Sequence, residues 1–400
     1  MYPALSVLQA LSTGDEASVR AVGNSTPGSE VSVSVLGDGD GRWRWVQRRC
    51  TQRHTSQYIE YIWIGGERGM EVDLVKREGV PFEAIPAAGV HGVGGRALPG
   101  NLNKLAQGFR AARRILGRFR PDVLLFTGGY VAVPMALAAH FPLKGLPRPH
   151  KLVYVPDIEP GLALKLLVRL ADVVAVTVED SKNYLPRRST MVVTGYPVRA
   201  GLKRMERSEA CQSFELDPEL PVFLVLGGSK GARSINRAFL AVLPQLLAEM
   251  QVIHLSGQLD WQEVEQARQS LSPEQMKRYR AFAYLHEEMG AALSAADLAL
   301  SRAGASSLGE LPLFGLPAIL VPYPYAWRYQ HVNAEYLVQR GAAVMLKDAD
   351  LPVEFFPLVK SLMFDMSRRQ GMRQAMSALA RPEAARTIAG ILFDMVAGPR

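Results

Sequence analysis

The residues best suited to chemistry form a glycine turn, Gly227 to Arg233, which follows an apolar run and opens a predicted helix. Glycine lets the backbone approach an anion closely, and N–H groups at a helix start bind phosphate. The turn lacks the G-x-x-x-x-G-K-[ST] pattern of a Walker loop. It also matches the G-x-S-x-G nucleophile elbow, with Ser229 as nucleophile and with Asp297 and His331 in a permissible order. A hydrolase therefore stays open as an alternative to an anion site.

Three further stretches combine small and polar residues with a strand-to-helix transition. Ser301 to Glu310 follows an apolar strand, and a carboxylate at its end can accept two hydrogen bonds from a ribose diol. Gln330 to Ala334 follows a proline turn and starts another predicted helix. Thr127 to Tyr130 is a second glycine turn between a strand and a helix. Gly92 to Ala97 fits G-x-G-x-x-A but lacks such a transition, so we predict a flexible loop there.

The elements that must position these residues are short apolar strands that alternate with amphipathic helices. This alternation predicts parallel sheets covered on both faces. The polar segment 200–213 divides two series of strands. We therefore expect an α/β protein with two Rossmann-like, doubly wound domains, at residues 1–199 and 200–380, and a final helix within 381–400 that crosses back to the first. Residues 12–56, rich in Ser, Gly and then Arg, are predicted to be a mostly disordered insertion.

Composition excludes several classes of protein. Apolar residues make up 48% of the chain and charged residues 21%, which excludes a mainly disordered or fibrous protein. Two cysteines, Cys50 and Cys211, form neither a disulfide framework nor a zinc pattern and fit a reducing compartment. The uncharged run Val123 to Leu143 could span a bilayer, but its glycines and Pro134 favour a buried strand, a turn and a helix.

Positive charge points to an anionic partner. Lys and Arg number 46 against 38 Asp and Glu, a formal net charge of +8. Residues 101–120 hold six basic side chains and no acidic one, with apolar residues at helical spacing. This pattern predicts a basic amphipathic helix, which either docks on an anionic membrane or presents a solvated basic face.

In their order and spacing, these motifs resemble the GT-B glycosyltransferase family that adds N-acetylglucosamine to lipid I in peptidoglycan synthesis. The resemblance implies an inverting, UDP-N-acetylglucosamine-dependent hexosyltransferase of cell wall biogenesis, cell shape and cell division, with an undecaprenyl-linked lipid acceptor. It implies no metal, no other cofactor, no nucleic-acid partner, and a peripheral place at an anionic membrane surface on the cytoplasmic face. A transferase for another glycolipid and a non-catalytic UDP-sugar-binding relative stay open. The stretches that carry the resemblance are Tyr2–Leu5, Gly128–Val131, Gly195–Arg199, Gly227–Arg233, Arg302–Glu310, Gly315–Tyr323 and Gln330–Ala334.

The resemblance also implies site residues. Arg199, Gly228 and Ser229 match donor diphosphate positions, and Glu310 matches the ribose-binding acid. Gln330 matches a glutamine that reads sugar hydroxyls, and His286 falls at the position beside uracil. The phosphate-binding helix start corresponds to Ala305, Ser306, Ser307, Leu308 and Gly309, and the acceptor side to Gly128, Gly129, Tyr130 and Asp157.

Two departures from the family bear on the acceptor side. The family reads His-Glu-Gln-Asn where this chain reads Tyr154 to Asp157, which leaves Asp157 as the candidate catalytic group. The family also has a strand and a glycine-rich loop, with the histidine usually offered as general base, ahead of Tyr2 to Leu5. We therefore expect the first strand of the N-terminal domain to be missing and Met1 to be a mis-called start codon.

Overall fold

The computed structural model describes residues 2–12, 59–67, 72, 75–76, 79–87, 98–141, 143, 145–186, 190–228, 231–325 and 329–397. Apart from the end of the first helix, the predicted insertion at 12–56 lies outside the described residues, as do the loop at 92–97 and Ser229. The chain divides into two compact units: residues 1–156, 160–197 and 383–400 form the first, and residues 157–159 and 198–382 form the second.

All described strands pair in parallel, which confirms the predicted α/β class. The strands of the first unit are β1 Trp63–Gly66, β2 Phe82–Ile85, β3 Val123–Phe126, β4 His150–Val155, β5 Val173–Val176 and β6 Met191–Val193. Those of the second unit are β7 Val222–Leu226, β8 Gln251–Leu255, β9 Tyr279–Phe282, β10 Leu298–Ser301, β11 Ala318–Leu320 and β12 Ala343–Met345.

Helices cover the sheets of both units. In chain order they are α1 Tyr2–Ser12, α2 Leu98–Phe119, α3 Ala132–His140, α4 Leu162–Leu170, α5 Arg207–Gln212, α6 Arg233–Ala241, α7 Leu243–Glu249, α8 Trp261–Gln269, α9 Pro273–Lys277, α10 Met289–Ala295, α11 Glu310–Phe314, α12 Tyr329–Gln339, α13 Leu351–Phe364, α14 Met366–Ala378 and α15 Ala384–Ala397. The predicted basic amphipathic helix is α2.

Strands in the first unit form two sheets. β1 pairs with β2, and the other four strands follow the order β3-β4-β5-β6. Successive strand side chains point to opposite faces. On one face, Leu152 and Tyr154 of β4 pack with Val7 of α1 and Ile388 of α15. On the other face, the alternate β4 residues pack with α2, α3 and α4.

The second unit has one six-stranded sheet in the order β12-β11-β10-β7-β8-β9. Chain order runs outward from β7 to β9 in one direction and from β10 to β12 in the other, so the winding reverses between β7 and β10. The inner strands are fully buried because helices cover both faces. The apolar residues 281–284 predict a strand there, whereas β9 begins at Tyr279. Tyr279 is buried beside Val252, and the charged Arg280 interrupts the apolar pattern.

Candidate active site

The carboxyl ends of β7 and β10 meet where the winding of the second sheet reverses. Leu226 lies opposite Ser301, so the loops that leave these strands start side by side. Ligands of doubly wound sheets bind outside the carboxyl ends of the strands at such a switch point. Among the predicted donor residues, Gly228 follows β7 and the 305–310 stretch follows β10.

The turn after β7 has glycine at two positions whose backbone conformation favours it. Gly228 has φ +81° and Gly231 has φ +84°, a left-handed conformation that other residues adopt at a cost. A Cβ on Gly231 would lie 2.4 Å from the carbonyl oxygen of Ser256. The turn leads into α6, whose N-cap residue Ala232 makes no side-chain cap hydrogen bond. The first N–H groups of such a helix can bind an anion, so the predicted anion site stays a prediction here.

A buried polar network fixes the position of this turn. Asp260 accepts from Arg233 Nε at 3.0 Å and from Asn236 Nδ2 at 2.9 Å, and the same Nδ2 donates to the Ser256 carbonyl at 2.9 Å. The Asn236 oxygen therefore faces His254, whose Nε2 lies 3.0 Å away. Together these contacts lock the start of α6 to the end of β8.

His254 is a neutral member of this network. It is fully buried, and burial lowers its pKa to about 3. Since Asn236 Oδ1 can only accept, the network assigns the imidazole proton to Nε2. Nδ1 then accepts from the Tyr279 hydroxyl at 2.8 Å.

A second polar cluster, centred on Arg302, ties together four loops at the carboxyl edge. Arg302 donates to the Val321 carbonyl at 3.1 Å, pairs with Asp348, and donates to the Ser234 hydroxyl at 2.7 Å. Ser234 in turn donates to Asp348 at 2.7 Å. These residues follow β7, β10, β11 and β12, so the loops around the switch point are held as one body.

After β10 the chain makes a 3₁₀ turn, Ala305–Leu308, ahead of α11. The first bond within the turn runs from Ser307 N–H to the Gly304 carbonyl at 3.0 Å, so the N–H groups of Ala305 and Ser306 have no partner inside the turn. Ser307, Leu308 and Gly309 are buried, which fixes the shape of the turn. The phosphate-binding role of this stretch stays a prediction.

Glu310 is the first residue of α11. Burial raises the pKa of its carboxyl to about 7, and the nearby positive charge of Arg199 opposes that rise. The structure therefore brings these two predicted donor residues together.

Gln330 and His286 occupy other loops of the same edge. The Gln330 side-chain oxygen Oε1 accepts from the Tyr323 N–H at 2.8 Å, which ties the proline turn to the start of α12. His286 is exposed and meets the Tyr284 ring edge-on at 4.7 Å. It follows β9, the end strand of the sheet, which β8 separates from β7.

Sequence reasoning missed Asn333 as a functional position. Its amide is fully buried and donates to Asp157 at 2.8 Å and to the Ala303 carbonyl at 3.1 Å. Its oxygen accepts from the Ile158 N–H at 3.1 Å. The available signal was its spacing, since Asn333 lies one helical turn after Gln330. Burial raises the pKa of Asp157, and the hydrogen bond from Asn333 opposes that rise.

Predicted acceptor-side residues in the first unit form the turn between β3 and α3. Gly128 has φ +107°, Gly129 has φ +86°, and the Tyr130 ring is exposed. Tyr154, which replaces a polar family residue, is buried in the core, and its hydroxyl bonds Thr177 at 2.8 Å and the Gly195 carbonyl at 3.3 Å. Tyr154 therefore serves packing and has no free polar group to offer a substrate.

The hydrolase alternative fails on geometry. Asp297 precedes β10, and its carboxylate accepts from the Val222 N–H at the start of β7 at 2.9 Å. It also pairs with Arg207 at 2.9 Å. It therefore lies at the amino edge of the sheet, away from Leu226 at the carboxyl end of β7. Asp297 is not placed to serve a triad at that end.

The described residues hold neither a metal-binding cluster nor a membrane-spanning helix. No group of three or more His, Cys, Asp and Glu side chains suited to a metal ion occurs there. Within the same residues, no helix is both long and apolar enough to cross a membrane.

A doubly wound unit with turns of glycine and small residues at its switch point is typical of GT-B enzymes that use nucleotide sugars, and known proteins of similar sequence agree with this class. The chain belongs to glycosyltransferase family 28: the C-terminal domain of that family matches residues 222–388 and its N-terminal domain matches residues 52–148. The family resemblance and the GT-B class expected from the sequence are confirmed.

Within this family, one curated group of enzymes is similar over most of the chain. The UDP-N-acetylglucosamine–N-acetylmuramyl-(pentapeptide) pyrophosphoryl-undecaprenol N-acetylglucosamine transferase of Roseiflexus sp. (strain RS-1) is 41% identical, over 99% of this chain and 92% of the relative. The enzyme of the same name from Desulforamulus reducens is 35% identical, over 82% of this chain and 88% of the relative. The crystal structure of Acinetobacter baumannii MurG matches with a TM-score of 0.62 and 25% identity, over 83% of this chain and 90% of that one.

Proposed function

We propose that this protein transfers N-acetylglucosamine from UDP-N-acetylglucosamine to lipid I, with inversion at the anomeric carbon, and so makes lipid II for peptidoglycan. The observation that carries this proposal is the 41% identity, over nearly the whole chain, to a relative named for that reaction. The assignment of the enzyme class therefore depends on membership of the family, and the assignment of the acceptor depends on the names of the relatives.

The donor site follows from the loops at the β7–β10 switch point. The diphosphate would lie against the N–H groups at the start of α6 and against those of Ala305 and Ser306. Arg199 would add a positive charge, and Glu310 would accept both ribose hydroxyls. Donors fixed before the reaction stabilise the negative charge that develops on the leaving UDP. Gln330 would hydrogen-bond to the sugar hydroxyls, and His286 would lie beside the uracil base.

The acceptor hydroxyl must lose a proton as it attacks the sugar. Asp157 is our candidate for the general base, because its carboxyl is already oriented by Asn333 and because burial raises its pKa towards the working range of a base. Gly128, Gly129 and Tyr130 would contact the acceptor from the first unit.

Helix α2 and its neighbours fit a peripheral membrane surface at the cytoplasmic face. Arg110 and Arg114 are exposed on α2. Arg113 donates to the Phe141 carbonyl at 3.0 Å, which joins the basic helix to an exposed aromatic ring. An acceptor anchored in the bilayer needs such a surface, because basic and apolar side chains together bind anionic lipid. Other large apolar side chains that are exposed in the described part of this unit are Leu102, Tyr130, Leu162 and Leu166.

One assay tests the reaction. Purified protein is mixed with UDP-N-acetylglucosamine and a lipid I analogue, and both UDP release and the lipid product are measured. We expect product only with this pair, and UDP-glucose serves as the donor control. Donor binding without turnover would support the non-catalytic alternative, and turnover only with a different glycolipid would support the other transferase.

A further inference from the structure

Four arginines surround one aspartate at the amino edge of the second sheet, at the opposite end of β10 from the switch point. Asp297 pairs with Arg207 at 2.9 Å through Oδ2, and its Oδ1 lies 4.0 Å from Arg373. The charges of Arg204 and Arg369 also act on Arg373. Four guanidinium groups against one carboxylate leave three positive charges without a counter-charge in this cluster.

The Asp297 carboxylate is already engaged in the fold. Its Oδ2 accepts from the Val222 N–H at 2.9 Å as well as from Arg207. Arg207 also donates to three backbone carbonyls, each at 3.0 Å or less, so it is a structural part of the sheet edge. Arg373 lies beyond hydrogen-bond distance of the same carboxylate. Asp297 therefore cannot serve as the acceptor for the remaining arginines.

Arg369 and Arg373 lie on the same face of α14. They are four residues apart, the spacing at which like charges on a helix repel each other. Water does not screen them fully, because the Arg373 side chain is only 32% exposed and Arg369 Nη1 is buried. Among the described residues, Arg369 Nη1 has no hydrogen-bond partner. A buried donor without an acceptor costs free energy, which an anion bound at this face would recover.

The backbone around Arg204 holds that residue beside the cluster. Met205 N–H donates to the Ser294 hydroxyl at 3.1 Å. The Lys203 carbonyl approaches α10 so closely that a Cβ on Gly290 would lie 2.8 Å from its oxygen. The segment is therefore fixed against α10, while Arg204 itself is exposed. Its guanidinium can close over an anion that the two arginines of α14 hold.

The charges of the cluster oppose one another. Burial lowers the pKa of Arg373, and the positive charges of Arg204, Arg207 and Arg369 lower it further, while the charge of Asp297 opposes that fall. An arginine does not lose its proton in proteins, so it cannot relieve this repulsion by becoming neutral. A bound counter-ion is the remaining way to relieve it.

We propose that Arg204, Arg369 and Arg373 form an anion site that takes a phosphate group and is separate from the donor site. Guanidinium groups pair with phosphate through two parallel hydrogen bonds. A phosphate monoester carries about −1.5 to −2 charges at pH 7 and three strong acceptor oxygens. It therefore offsets more of the excess charge than a carboxylate does. Bound phosphate would join α14 to the segment ahead of α5 and stabilise the second unit.

The test uses the full chain and two matched variants. Arg369→Gln removes the buried guanidinium, and Arg368→Gln makes the same change in charge at its exposed neighbour on α14. Phosphate binding is followed through the ¹⁵N-labelled Nε–Hε groups of the arginines by NMR, which separates this site from the donor site. We expect the Arg373 signal to shift in the parent and in Arg368→Gln. In Arg369→Gln the Kd for inorganic phosphate should rise at least about tenfold.

Melting temperatures give a second measurement with an opposite sign for a structural role. Without phosphate, Arg369→Gln should melt no lower than the parent, because it relieves repulsion, and phosphate should then stabilise it less. The proposal is overturned if Arg369→Gln lowers the melting temperature equally with and without phosphate. It also fails if Arg368→Gln weakens binding as much, which would indicate general screening.

The choice of anion identifies the ligand. Inorganic phosphate, glycerol phosphate and acetate are compared at equal ionic strength on the parent chain, so this arm does not depend on any variant that fails to fold. Tighter binding of glycerol phosphate would support a site for an organic phosphate, and equal binding of the first two would support a site for free phosphate. Equal shifts with acetate, or no shift of Arg369 and Arg373 with either phosphate, would overturn the proposal.

Discussion

Glu310 illustrates how one partly buried carboxyl links donor binding to pH. A ribose diol is held by a charged carboxylate, which accepts two hydrogen bonds, whereas the protonated acid turns one oxygen into a donor. The pKa of Glu310 is raised to about 7, so we expect the Kd for UDP-N-acetylglucosamine to rise as the pH falls through that value. Calorimetry across this range tests it. Glu310→Gln should flatten the profile and weaken binding by about 1–3 kcal/mol, while a flat profile in the parent protein would contradict the assignment.

The same carboxyl should cost stability in the absence of donor. Its folded pKa, about 7, lies above the ordinary value of 4.5, so the folded chain holds the proton more tightly than the unfolded chain. The free energy of unfolding therefore falls as the pH rises from about 4.5 to about 7 through this group. We expect Glu310→Gln to raise the melting temperature above pH 7 and to have little effect near pH 4.5. Equal shifts at both pH values would argue against it.

Asp157 carries a separate prediction about the reaction itself. If its carboxylate removes the acceptor proton, Asp157→Asn should lower kcat by about 10²-fold or more and abolish the acidic limb of the pH–rate profile, with the donor Kd unchanged. Asn333→Ala is the matched comparison, since it breaks the same hydrogen bond but keeps the carboxylate, so the acidic limb should persist even where kcat falls. An acidic limb that also persists in Asp157→Asn would assign Asp157 a structural role.

At the scale of elements, the turn between β7 and α6 depends on a glycine that no other residue can replace. In Gly231→Ala, the new Cβ would meet the Ser256 carbonyl at 2.4 Å in a left-handed conformation. We expect a loss of at least about 1–2 kcal/mol in stability together with weaker UDP binding. Gly201→Ala is the control, because nothing lies within 4 Å of its Cβ. Denaturant unfolding and calorimetry separate the two, and equal effects would contradict the account.

Helix α2 carries the prediction for the membrane. We expect Arg110→Glu with Arg114→Glu to reduce binding to anionic vesicles at least about tenfold, because each basic residue near the surface contributes about 1 kcal/mol. Arg113 is kept, since it bonds the Phe141 carbonyl. The control reverses Arg268 and Lys277, which gives the same change in net charge elsewhere. Co-sedimentation that is indifferent to the α2 changes would indicate a solvated basic face.

Across the whole molecule, the sequence predicted what local patterns determine. Apolar runs gave the strands and the parallel class, and glycine with small residues marked both turns at the β7–β10 switch point. The polar clusters that hold those turns could not be predicted from the sequence. Ser234, Arg302 and Asp348 are far apart in the chain, and only the strand order brings them together. The sequence places Asn333 at the start of a helix, but nothing near it in the chain reveals that its amide is buried against residues 157–159.

The grip of Asn333 on residues 157–159 also bears on how such proteins can be recombined. These three residues belong to the second unit although their chain neighbours on both sides belong to the first. Exchange of residues 198–382 alone with those of a relative would therefore separate Asn333 from the Asp157 carboxylate and the Ile158 N–H. The buried Asn333 amide would then lose these hydrogen-bond partners. Recombination between family members should therefore exchange residues 157–159 and 198–382 together. Residues 157–159 must therefore be exchanged together with helix α12, which carries Asn333.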